Sequence, residues 1–85
     1  MLIQYIRDEK KHPVGVMASD LIDGTLKIGF SLANVQKGDR FRKDYGKIKA
    51  VGRMHGSKKY NIPHKYSEQL EEFEERSRKY FRVGE

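Results

Sequence analysis

The sequence predicts an α+β domain in which a three-stranded antiparallel sheet, a β-meander, is followed by two helices (βββαα). Three observations carry this. Asp23-Gly24 separates two strand-like runs, and a type I′ hairpin turn needs positive φ at both central residues, which Asp-Gly tolerates. Thr25 to Leu32 alternates with period two, placing Leu26, Ile28, Phe30 and Leu32 on one face. Beyond residue 39 the apolar spacing switches to the helical period. The 85 residues fit a single domain over 1–85.

The first strand runs over about 2–7. Arg7 to Pro13 is charged and ends in Pro, so it reads as a loop. The second strand covers about 14–22 and the third about 25–32. The Asp-Gly turn pairs Ile22 with Thr25, and this register puts Leu21 opposite Leu26, Ser19 opposite Ile28 and Met17 opposite Phe30. Ala18 then opposes Gly29 and leaves a shallow spot on the other face. Ile3 and Tyr5 are expected to join the Phe30 face. Leu2, Ile6, Val14 and Val16 then lie on the opposite one. With two helices on one side, a second apolar face would stay bare, which predicts a homo-oligomer. The small size of the domain points the same way.

The first helix is expected over about 39–55. Asp39 is its N-cap, and Phe41, Tyr45, Ile48 and Val51 or Met54 form its apolar stripe. Gly46 and Gly52 each weaken it by about 1 kcal/mol against Ala while permitting close packing. Gly56 is the expected C′ residue. Ser57 to Pro63 is a loop. The second helix covers about 64–81, with Pro63 suited to its start and Tyr66, Leu70, Phe73, Ser77 and Tyr80 or Phe81 inward. Its acids precede its bases, in the order the helix dipole favours. Glu72–Arg76, Glu74–Arg78 and Glu75–Lys79 are pairs at i,i+4.

Charge is concentrated. From Lys37 to Lys59 there are nine Lys or Arg against two Asp, a local +7 in a chain whose total is +6. Such a cluster attracts polyanions and phosphate-bearing ligands. Arg40, Arg42, Lys43, Lys47, Arg53, Lys58 and Lys59 are the expected phosphate contacts. Tyr45 and Tyr60 lie within the run and are placed to stack on bases.

Catalytic chemistry is poorly supplied. The chain has no Cys, which removes thiol nucleophiles, disulfides and thiolate metal sites and fits a reducing compartment. His55 and His64 flank one loop without acids at ligand spacing, so no metal is expected. Ser19, Ser31 and Ser57 lack an elbow or triad context. The segment GRMHGSKK is not GxxxxGK[ST] and follows a helix, so it is not a P-loop. The reading is a non-enzyme without cofactors. MLIQYIRDEKK has no n-region or cleavage site of a signal peptide, and no apolar run approaches the ~20 residues of a membrane span. The expected location is cytoplasmic.

Gly29-Phe30-Ser31-Leu32, then Asp39-Arg40-Phe41-x-Lys43-x-x-Gly46, then Ala50-x-Gly52-Arg53, resembles the form G-x-S-L, D-x-F-x-K-x-x-G, A-x-G-R of small proteins encoded by tailed phages and prophages. The hairpin start and Ile62-Pro63-His64 are also similar, so the likeness covers most of the chain. It implies a context, an accessory protein inside a bacterial host cell, and transfers no catalytic residue. It suggests that Asp39, Arg40, Lys43, Gly46, Gly52 and Arg53 form the central site or its scaffold. The expectation is a non-enzymatic host-takeover or counter-defence protein that holds nucleic acid or a nucleotide signal on the basic helix and loop. The rival expectation is a protein inhibitor of a host enzyme or defence nuclease.

Overall fold

The computed structural model describes residues 1–33, 38, 40–56 and 61–83. Strands β1 (Leu2–Arg7), β2 (Pro13–Ile22) and β3 (Thr25–Leu32) precede helices α1 (Lys43–His55) and α2 (His64–Tyr80). The sheet is antiparallel with strand order β1-β2-β3, the βββαα meander expected from the sequence.

The β2–β3 hairpin has the expected register throughout, from Ile22 opposite Thr25 to Met17 opposite Phe30. Its turn has φ of 52° at Asp23 and 77° at Gly24, the two positive values a type I′ turn requires. The β1–β2 loop is organised by Asp8. Its carboxylate accepts from the Lys10 and His12 amides at 3.0 and 2.9 Å.

β1 departs from expectation by one residue. Leu2 faces Ser19 and Ile3 faces Ala18, so Leu2 and Ile6 pack with Met17 and Phe30. Ile3 and Tyr5 join Val16 and Ala18 instead. A one-residue change of register exchanges the faces of a whole strand. A shift between Ile6 and Arg7 accompanies the placement of Val14 with Leu2 and Ile6 rather than with Val16.

Each face carries its own helix. Phe73 of α2 is fully buried against Leu2, Ile6, Val14, Met17 and Phe30, with Tyr66, Leu70 and Phe81 around it. Ala50 and Met54 of α1 are buried against Val16 and Ala18. The bare second face that would call for self-association is therefore covered by α1. Buried Ser19 and Ser77 bridge sheet and α2 at 2.7 Å, and Ser77 Oγ also donates to Phe73 O.

α1 differs from its expected form at both ends and in its rotation. It begins at Lys43 with Arg42 at the N-cap position. The expected cap, Asp39, lies outside the described residues. Gly56 follows the helix at φ −77°, an extended conformation rather than the left-handed one of a C′ glycine. The buried line is Gly46, Ala50 and Met54. Tyr45 and Ile48 are 56% and 71% exposed. The cause is the hollow at Ala18 and Gly29. A Cβ on Gly29 would collide with the backbone of Ala50 and Met54. The helix thus lays its smallest face into the hollow, where close backbone approach gives dense contact.

Candidate functional site

An open cleft of about 380 Å³ lies where the end of β3 meets the start of α1. Ser31, Leu32 and Ala33 form one wall, Arg42, Tyr45, Gly46 and Lys49 the other, and Arg40 and Phe41 close it. The walls are joined from within. Ser31 Oγ donates to Gly46 O at 2.8 Å. A Cβ on Gly46 would lie 2.9 Å from Val16 Cγ2, so this residue sets how closely the first turn of α1 approaches the sheet.

Three cations, Arg40, Arg42 and Lys49, line the cleft, and none of its described lining residues is acidic. Lys49 Nζ lies 4.8 Å from the centre of the Tyr45 ring. That contact holds an ammonium and an aromatic face together on one wall. The first turn of α1 borders the cleft, and its dipole adds positive potential that the exposed Asp44 of the same turn partly offsets. The arrangement suits an anion with an attached planar group. Among the described residues no cluster of His, Asp or Glu is arranged to hold a metal ion.

The basic run thus divides by what each side chain touches. Arg40, Arg42 and Tyr45 line the cleft. Arg53 Nη1 donates to Phe30 O at 3.1 Å, and the residue is half-buried. Ala33 N bonds Val14 O, so Ser31 also faces β2, and Phe30 turns its carbonyl to the outer edge of the sheet. Arg53 therefore fastens α1 to that edge. Lys43 Nζ lies 5.3 Å from the Tyr5 ring centre, and Tyr5 meets Phe41 edge-on. Lys47 is exposed, one turn beyond Lys43. Lys58, Lys59 and Tyr60 lie outside the described residues.

Lys49 is the cleft residue that sequence reasoning passed over. It is four residues beyond Tyr45, and that spacing on a helix places an ammonium beside a ring. The motif residues also gain a physical account. Gly29 receives the α1 backbone, Ser31 ties to Gly46, and Phe41, Lys43 and Arg53 dock α1 on β1 and β3. They join β3 to α1. Gly52 is exposed with nothing near its missing Cβ.

Comparison with protein-family models, with curated proteins and with solved structures finds no match to this chain. Among the described residues no helix is long and apolar enough to cross a membrane.

Proposed function

We propose that this is a non-enzymatic binding protein that holds a phosphate-bearing ligand in the cleft between β3 and α1. The observation that carries the reading is the convergence of Arg40, Arg42 and Lys49 on one cleft with no acid among its described lining residues. Its size falls within the roughly 300–1,000 Å³ of small-molecule sites. Arg offers a planar fork to phosphate oxygens and Lys a point charge. Within the phage context implied by the motif resemblance, the role is host takeover or counter-defence.

The test is a titration of a fluorescent nucleotide, mant-ADP, into wild-type protein, Arg42→Glu and Lys47→Glu at about 0.1 M salt. Arg42→Glu is expected to weaken binding at least about tenfold, because a reversed charge inside the site acts at contact distance. Lys47→Glu makes the same change in net charge away from the cleft and is expected to change affinity by less than about threefold, since screening acts over ~10 Å. Equal losses would reduce the effect to net charge. No binding of mant-ADP or of labelled DNA and RNA would remove the reading.

A second reading, an inhibitor of a host protein, is favoured by exposed Tyr45 and Ile48 flanked by Lys47 and Lys49 on α1. An exposed aromatic and aliphatic pair with a basic rim fits an acidic protein surface.

A further inference from the structure

The ligand's size is written in how the cations are spent. A protein that tracks a nucleic-acid strand needs a continuous basic groove covering roughly 4–16 nucleotides. The basic run is continuous in sequence, but among the described residues its cations are held in different places. Arg53 is bound to the Phe30 carbonyl. Lys43 is held over the Tyr5 ring of β1 and is not among the residues that line the cleft. On α2, Arg78 and Lys79 are paired with Glu74 and Glu75 at 2.9 and 3.6 Å. Among the described residues the cleft is lined by three cations and two aromatic rings around about 380 Å³.

We infer that the cleft takes a free nucleotide of one or two units and does not track a strand. The phosphates meet Arg40 and Arg42, and the base lies against the Tyr45 ring that Lys49 already flanks. This rests on the reading of the cleft as a phosphate site and adds the class and length of the ligand. Stacking on a ring tolerates any base, so affinity follows phosphate count and the presence of a base more than base identity.

The experiment is a calorimetric series on the full chain with inorganic pyrophosphate, ADP, the dinucleotide pApA and a 12-nucleotide oligo(dA), each at two salt concentrations. The inference expects ADP or pApA to bind one per chain, tighter than pyrophosphate. It expects the 12-mer to gain less than about threefold over pApA per binding frame. Tyr45→Ala should weaken ADP about tenfold, the scale of one base–ring stack, and leave pyrophosphate within about twofold. Thermal melting of the variant, altered only at an exposed side chain, controls for folding. A 12-mer that binds more than about tenfold tighter than pApA, with a steep loss in salt, overturns the size inference and leaves the phosphate site standing. Equal effects of Tyr45→Ala on ADP and pyrophosphate overturn the stacking role. Failure of all four probes overturns the phosphate site and the inference together.

Discussion

Gly29 and Gly52 are the same residue type with opposite consequences on substitution. A methyl at Gly29 meets the backbone of Ala50 and Met54, which has no rotamer with which to yield. Gly29→Ala is expected to destabilise by about 1–3 kcal/mol, the usual cost of overpacking, or to displace α1. Gly52→Ala adds a methyl in open space within a helix, and is expected to stabilise by about 1 kcal/mol. Urea denaturation of the two variants checks both signs. The buried serines give a second asymmetry. Ser77 Oγ spends its hydrogen on Phe73 O, so Ser19 must donate to Ser77. Ser77→Ala strands a buried donor and is expected to cost about 1–3 kcal/mol, whereas Ser19→Ala leaves Ser77 bonded and costs less. A larger loss in Ser19→Ala would contradict this donor order.

Among the elements, α1 shows where sequence periodicity stops being informative. The hairpin is legible because Asp-Gly favours one register, and that register places Ala18 opposite Gly29. The rotation of α1 is not legible, because bulky apolar residues ordinarily mark the buried face of a helix and here they do not. In a trough lined by Ala18 and Gly29 the smallest side chains win, so Gly46 and Ala50 go inward and Ile48 stays out. β1 had no comparable pin. No turn type dictates the register across its loop, and the one-residue difference reverses its faces. α2 is the easiest element, since Tyr66, Leu70, Phe73 and Phe81 face the core together with the small Ser77. The basic residues of α1 follow the same division between scaffold and cleft. Arg53→Ala removes a charged bond to an edge carbonyl and is expected to cost about 1–2 kcal/mol. Arg42→Ala changes an exposed side chain and should stay within about 0.5 kcal/mol of wild type. Paired chemical denaturation separates them, and equal losses would undo the assignment of Arg53 to the scaffold.

For the whole molecule, a net charge of +6 suggested a general affinity for polyanions, but the fold distributes that charge unevenly. Part is matched along α2, part is turned to the sheet, and three cations meet at the β3–α1 junction. Arg40, Arg42 and Tyr45, expected from the sequence as phosphate and base contacts, line the cleft, while the placing of Lys49 and the bond from Arg53 to the Phe30 carbonyl depend on the rotation of α1, which the sequence did not give away. Because a bound ligand stabilises only the folded chain, ADP at ten times its Kd should add about 1.4 kcal/mol, raising Tm by roughly 5–10 °C for a domain of this size. The most direct measurement is calorimetric titration of ADP into wild-type protein and the Arg40→Ala/Arg42→Ala double variant, with melting curves for both. The account predicts saturable one-to-one binding to wild type, at least about a tenfold loss in the variant, and unchanged melting without ligand. Equal affinity in both proteins, or no binding to either, would contradict it.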